Sequence, residues 1–336
     1  MQAQPISRGR VELAAGLPNP QDVFEEGTLA KGRYRVVRQL GAGGMAVVFL
    51  VCDEELDGRQ AVLKSPFAGP AFRADDLRKR FSEEIASLIS LGHVEGVVDI
   101  LDRGEHDGAP FYIAQWMGGG SLQDKLGPAG SRQSPGEVAA WILPIAQALD
   151  DVHERNFVHR DVKPDNILFT SRSERARPRL ADFGIARVFS GGTSGVTTGY
   201  TKIGTQAYWA PEQEAGLPLD GRADQFSLAA TAYRALAGRP PATRGIPDPL
   251  SELAPSVPSP SAAAVQRGIQ AKPEDRFATC TALAEAFLAG LENYLPEATE
   301  LAPTGLAELA IEPTSGAPTS GSRTVWIVAL IAFLAV

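Results

Sequence analysis

The rhythm of hydrophobic and polar positions changes once along the chain, and the change divides it. From Tyr34, the runs YRVVRQL, AVVFLVCD and RQAVLKS are short and rich in β-branched residues, and they read as three strands. Asp57-Gly58, between the second and third, is a hairpin signal because both residues tolerate a left-handed turn backbone. LRKRFSEEIASLISLG then sets Phe81, Ile85, Leu88 and Ile89 at helical spacing. VVDILDRGE and PFYIAQWM return to strand.

After GGGS the period lengthens to that of helices. Ser134-Pro135-Gly136-Glu137 joins a capping serine, a first-turn proline and an acid three residues on. Val138, Ile142, Ile145, Leu149 and Val152 follow along one face, with Pro144 expected to kink the helix. DQFSLAATAYRALAG is apolar almost throughout and ends at Gly238, which predicts a helix buried on every side. TALAEAFLAGLENYL is a last amphipathic helix. The pattern predicts an α+β molecule with a small antiparallel β-rich lobe and a larger helical lobe. Before it lies a loose leader; after it come a flexible linker rich in Pro, Thr, Gly and Glu, and a hydrophobic tail.

Composition narrows the chemistry. A net charge of −8 argues against nucleic acid as a partner. Cys52 and Cys280 lie far apart and form no metal or redox pair, which suits reduced thiols in a cytosolic compartment. His93, His106, His153 and His159 show no ligand spacing, and His153 and His159 would face opposite sides of one helix. A zinc site is therefore not expected. The opening MQAQPISRGRVELAAGLPNP has no apolar centre of the kind a secretory signal needs. VWIVALIAFLAV is unbroken apolar sequence, shorter than the roughly 20 residues that cross a bilayer. It reads as a membrane segment cut short by where the sequence ends, with Arg323 suiting a cytoplasmic flank.

Four stretches carry chemistry, together with Glu84. In LGAGGMAVVFL, Gly41, Gly43 and Gly44 let backbone approach a ligand closely, and amides of such a turn can face phosphate oxygens. No GKS or GKT phosphate loop is present, so a Walker-type nucleotide fold is disfavoured. Lys64 ends AVLK on the third strand. Glu84 sits between Phe81 and Leu88 at the edge of a buried helix face, where an unpaired charge is costly, and Lys64 is the candidate partner. HRDVKPDN spans His159 to Asn166, and DFG starts at Asp182 after the strand-like RPRLA. Asp161, Asn166 and Asp182 offer oxygen ligands suited to Mg²⁺. Asp161 can take a proton from an attacking hydroxyl, and Lys163 can neutralise a phosphoryl group in transfer.

In order, GAGGMAV, AVLK, Glu84, HRDVKPDN, DFG and APE (Ala210 to Glu212) resemble the signature set of the protein-kinase superfamily. GTQAYWAPEQ, DQFSLAATAYRALAGRPP and KPEDRFAT also look like family segments. The resemblance is specifically to the bacterial eukaryotic-like (Hanks-type) serine/threonine kinases and covers about Tyr34 to Leu295. It implies the bilobal kinase fold, with leader 1–33, N-lobe about 34–117, C-lobe about 118–295, linker 296–324 and hydrophobic segment 325–336.

The resemblance further implies ATP and Mg²⁺ as cofactors and Ser/Thr hydroxyls of proteins as acceptors. By it, Gly41, Gly43 and Gly44 cover the ATP phosphates, while Val48 and Ala61 line the adenine pocket. Lys64 holds the α- and β-phosphates and is fixed by Glu84. Asp161 is the base, Lys163 assists at the γ-phosphate, and Asn166 and Asp182 hold Mg²⁺. Backbone groups of Gln115 and Met117 bond adenine, and Ala114, unusually small, guards a back pocket. Thr205 faces the catalytic loop, Glu212 pairs with Arg276, and Asp224 braces the loop. Thr193, Ser194, Thr197, Thr198 and Thr201 are candidate phosphosites, where a phosphate can pair with Arg160. A homodimer for trans-phosphorylation and a cytoplasmic kinase domain attached to the cell membrane complete the expectation.

Two departures stand out. Ala46 takes the place of the family's third loop glycine, and RPPATRGIPDPLSELAPSVPSP replaces a substrate-docking helix. They favour, weakly, an alternative reading as a membrane-tethered, nucleotide-binding pseudokinase scaffold. A small-molecule phosphotransferase on the same fold is a third option, disfavoured by GTQAYWAPE.

Overall fold

The alternating runs assemble into one antiparallel sheet in the computed structural model, which describes residues 18–43, 46–66, 81–82, 85–86, 88–173, 175–183, 205–242 and 247–292. Its strands are β1 (Leu29–Ala30), β2 (Tyr34–Gly43), β3 (Ala46–Asp53), β4 (Arg59–Pro66), β5 (Ile100–His106) and β6 (Ala109–Gln115). They lie in the order β1-β2-β3-β4-β6-β5. Side chains alternate between faces along each strand. One face buries Val36, Phe49, Val51, Ala61, Leu63 and Phe111 in a single apolar cluster. Val48, Val62 and Lys64 project from the other face and line a cleft. Asp57 and Gly58 both have positive φ, +50° and +74°, so the predicted left-handed turn is present.

The leader is not loose throughout. Asn19 caps a short helix, α1 (Pro20–Val23), and β1 pairs with β2. Between them Phe24 enters the lobe's core, 5.6 Å from the Phe49 ring and 5.8 Å from that of Phe111. The folded lobe therefore begins before Tyr34. Phe24 meets Phe111 edge to face and Phe49 at a tilt, and this apolar burial orders the segment.

The second lobe contains α2 (Leu122–Leu126), α3 (Pro135–Glu154), α4 (Pro211–Glu214), α5 (Gly221–Ala237), α6 (Leu250–Leu253), α7 (Ser259–Gly268) and α8 (Cys280–Glu292). A two-stranded hairpin, β7 (Ile167–Phe169) and β8 (Pro178–Leu180), accompanies them. At the start of α3, Ser134 and Glu137 form the predicted capping box, and Pro144 lies inside the helix without ending it. Every residue of α5 from Ala223 to Ala237 is buried, and the helix stops at Gly238, whose φ is +81°. Its buried hydroxyls have partners, as buried polar groups generally do. Ser227 donates to Tyr208 O at 2.7 Å and Thr231 to Ser227 O at 2.8 Å. The proline-rich stretch after Gly238 holds only the four-residue α6 among the described residues.

The chain divides into two compact units, Met1–Leu295 and Pro296–Val336. All described residues belong to the first unit, so the linker and hydrophobic tail lie outside them. Among the described residues, no helix is long and apolar enough to cross a membrane.

Candidate active site

The hairpin of β7 and β8 brings together residues far apart in sequence. Ile167 pairs with Leu180, so Asn166, just before β7, lies beside the residues just after β8. Ala181 N donates to Asn166 O at 2.8 Å, and Asp182 is the next residue. The Asn166 side chain turns the other way along the loop: its Nδ2 donates to Asp161 O at 2.8 Å and to Asp161 Oδ2 at 2.9 Å. Asp161, Asn166 and Asp182 thus converge through one asparagine.

Lys163 Nζ also binds Asp161 Oδ2, at 2.7 Å. Two donors pin one carboxylate oxygen, and among the described residues none occupies Oδ1. Because the Asn166 amide nitrogen is committed to Asp161, its Oδ1 is the atom left to a ligand. Asp182 has φ +58°, a left-handed backbone that aims its carboxylate at Lys64, and Lys64 Nζ meets Asp182 Oδ1 at 2.5 Å. Burial pushes the Lys64 ammonium down, but the Asp182 charge outweighs it and holds the group firmly protonated. The oxygens of Asn166 and Asp182 form a hard donor set, and these residues fit a Mg²⁺ ion.

The loop is held from below by Asp224, which is fully buried on α5. Its carboxylate accepts from the backbone amides of His159 and Arg160, both at 2.7 Å, and from His153 Nε2 at 2.8 Å. Arg160 has φ +66°, an uncommon conformation for a residue with a side chain. Asp224 fixes its amide, and Gln213 Nε2 donates to its carbonyl at 2.7 Å. The His159 ring packs 4.6 Å from Phe183; Nε2 donates to Ala181 O at 3.0 Å, and Nδ1 accepts from the Asp161 amide at 3.3 Å. Burial lowers its pKa, in keeping with a neutral ring that donates at one nitrogen and accepts at the other. Glu212, on α4 beside Gln213, makes a two-pronged ion pair with Arg276 at 2.7 and 2.9 Å.

Above the loop, a cleft of about 330 Å³ runs between the sheet and the hairpin. Val48 and Lys64 line it, as do Gln115, the last residue of β6, and Met117 just beyond it. Gln115 N donates to Asp99 O at 2.9 Å, so only its carbonyl can serve a base there. The Met117 amide has no acceptor among the described residues, and it is the group suited to a purine ring nitrogen. Gly119 secures this connection to β7, because a Cβ there would lie 2.1 Å from Ser171 O. Behind Ala114 the cleft continues past Leu88, Leu91 and Tyr112.

Several expectations need correction or fall elsewhere. Ala61 does not line the cleft. It is 2% exposed in the core on the opposite face, and its neighbour Val62 takes the expected place. Strand parity explains this, since Val62 and Lys64 share a face that Ala61 cannot. Leu40 and Leu168 also line the cleft and were missed, though each stands beside a motif that was read. Asp182 as the partner of Lys64 was missed too; Glu84, the expected partner, lies outside the described residues. So do Gly44, Thr193, Ser194, Thr197, Thr198, Thr201 and the side chain of Thr205. His153 and His159, expected to diverge, both reach Asp224, because α3 ends at Glu154 and the chain turns back.

A two-lobed fold with a nucleotide-sized cleft, an Asp–Lys–Asn loop and an opposing Lys–Asp pair defines a class of phosphotransferase. Comparison with known proteins agrees. The protein kinase domain family matches residues 34–280. The serine/threonine-protein kinase PknF of Mycobacterium tuberculosis is 38% identical over 284 residues, which is 78% of this chain and 56% of that protein. The DNA damage-responsive serine/threonine-protein kinase RqkA of Deinococcus radiodurans is 34% identical, covering 90% of this chain and 46% of its own length. Among solved structures, the kinase domain of Mycobacterium tuberculosis PknI superposes with a TM-score of 0.61 at 33% identity, covering 79% of this chain and 99% of that one. The chain belongs to the protein kinase family, in the group of bacterial Hanks-type serine/threonine kinases. It spans about half the length of the curated relatives it matches.

Proposed function

We propose that this chain is a serine/threonine protein kinase that transfers the γ-phosphate of ATP to protein hydroxyls, its own Thr and Ser residues between DFG and APE included. The observation that carries the reading is the asymmetry of Asp161. Lys163 and Asn166 hold Oδ2, and Oδ1 is left to accept a proton from an incoming hydroxyl. A general base of this kind contributes roughly 10²- to 10⁴-fold to a rate. Lys64 orients the phosphates from the sheet, and Lys163 stands by the transferring group. Asn166 and Asp182 would hold Mg²⁺, which when bound neutralises phosphate oxygens. The Gln115 carbonyl and the Met117 amide bind the adenine edge. We extend the proposal to a kinase domain on the cytoplasmic side of the cell membrane, held there by residues 325–336 and pairing with a second copy for trans-phosphorylation.

The test is phosphate transfer from labelled ATP with Mg²⁺, comparing wild type with Asp161→Asn. The expected result is label on the wild type and loss of about 10³-fold in the variant, with ATP affinity kept within a few-fold. ATP binding without transfer in the wild type would instead favour a scaffold.

A further inference from the structure

Below the catalytic loop, three elements meet at one imidazole. His153 is near the end of α3, and its Nε2 donates to Asp224 Oδ2 on α5 at 2.8 Å. Its Nδ1 lies 3.7 Å from Asp150 Oδ1. Asp150 in turn accepts the first amides of α8, from Cys280 at 2.9 Å and Thr281 at 2.8 Å. Gly221 covers the face of the ring so closely that a Cβ there would fall 2.5 Å from Nδ1. The line of contact runs from the amino end of α8 through Asp150, His153 and Asp224 to the amides of His159 and Arg160, next to Asp161.

We propose that Asp150 and His153 are positioning residues for phosphoryl transfer, tying the docking of α8 to the geometry of the catalytic loop through Asp224. The inference rests on the kinase reading above.

The physical case is one of charge. Asp224 is fully buried, and Asp150, partly buried, lies at the other nitrogen of the same imidazole. Two such carboxylates repel unless a cation stands between them. A neutral imidazole donates through one nitrogen and an imidazolium through both. Burial lowers the affinity of His153 for its proton, but the two carboxylates more than reverse this and raise its pKa to about 9. The other titratable group facing the ring is the Cys280 thiol on α8, which burial pushes up, so it stays neutral. Beyond Asp224 lies His159, also neutral. Asp150 already accepts two backbone amides, so the cluster is read as a charge clamp and not as a metal site. Without the imidazolium, Asp224 is drawn less firmly into place, and Arg160 loses part of what holds its left-handed backbone.

Two variants test this. His153→Gln keeps one donor for Asp224 without the charge, and Asp150→Asn removes one carboxylate while leaving an acceptor for α8. Expected in His153→Gln is a fall in kcat of roughly tenfold with an unchanged KM for ATP. The wild type should lose kcat as pH rises through about 9, and in Asp150→Asn this limb should move to lower pH. Hydrogen exchange at the His159 and Arg160 amides should quicken several-fold in both variants, a readout that needs no activity. Lower thermal stability with the wild-type pH profile and exchange rates would overturn the proposal, leaving Asp150 and His153 as mere support for α8. If the wild type transfers no phosphate, the kinase reading fails, and the exchange comparison still decides the clamp.

Discussion

The sheet and the catalytic loop bring side chains to the same cleft by opposite means. On the sheet, position follows from alternation. Val62 and Lys64 face the cleft because they are two apart, and Ala61 and Leu63, one step out of phase with them, face the core. The partners that fix the loop are distant in sequence. Arg160 is held by Asp224, 64 residues on, and by Gln213, 53 residues on. A sheet face tolerates change in one residue at a time, whereas a loop held by buried charges depends on each tether. Leaving such a charge unpaired costs more than trimming an apolar side chain.

This contrast is broken most forcefully at Glu212. Its carboxylate meets the Arg276 guanidinium, whose side chain is fully buried and also donates to the carbonyls of Arg222, Gln270 and Ala271. Glu212→Gln leaves that cation facing a neutral amide. Removing one partner of a buried pair costs about 3 kcal/mol, equivalent to roughly 6 to 12 °C in Tm for a domain of this size. Gln213, the next residue, bonds Arg160 O, so activity should fall before the domain melts. Calorimetry together with transfer assays at rising temperature checks both. An unshifted Tm would mean that the tethers are not what supports the loop.

A smaller effect is expected in acid. Burial would push the Asp150 carboxyl up, but His153 and the amides at the start of α8 outweigh it and hold the group at about 2. A carboxyl depressed on folding stabilises the protein above its ordinary range, and the contribution is lost as pH falls toward the folded value. It amounts to about 2 kcal/mol at neutral pH. Urea unfolding should show Asp150→Asn less stable than wild type at pH 6, with the gap closing near pH 2. A gap that is constant across this range would mean that the charge of Asp150 does not support the fold.

How much of this was legible depends on the range of the interaction. The capping box at Ser134 and the all-round burial of α5 are local patterns, and the sequence carries them openly. The lobe's true beginning was hidden, because PQDVF is too short for any period and Phe24 is ordered by rings from three other elements. Asp161, Asn166 and Asp182 could be named as a group from their motifs, yet only the β7–β8 register explains why they converge. The double tether at Asp224 was invisible to spacing. Nothing in a separation of six residues shows that α3 ends between His153 and His159.

The sheet side of the comparison is sharpened by a pair of neighbours. Ala61 is buried in the same core cluster as Val36, Phe49 and Phe111. Ala61→Leu should overpack it and cost about 1–3 kcal/mol, visible as a lower urea midpoint, while ATP affinity in the surviving folded protein stays within twofold. Val62→Phe should do the reverse. A phenyl ring pointing into the cleft beside Lys64 occupies space that the base needs, so ATP binding should weaken by tenfold or more, with stability changed by less than about 1 kcal/mol. Titration with a fluorescent ATP analogue and chemical unfolding separate the two. Adjacent residues with opposite phenotypes would show that parity alone assigns function on this sheet. If both variants lost ATP binding and stability together, the two faces would be coupled, and the sheet would depend on its neighbours as the loop does.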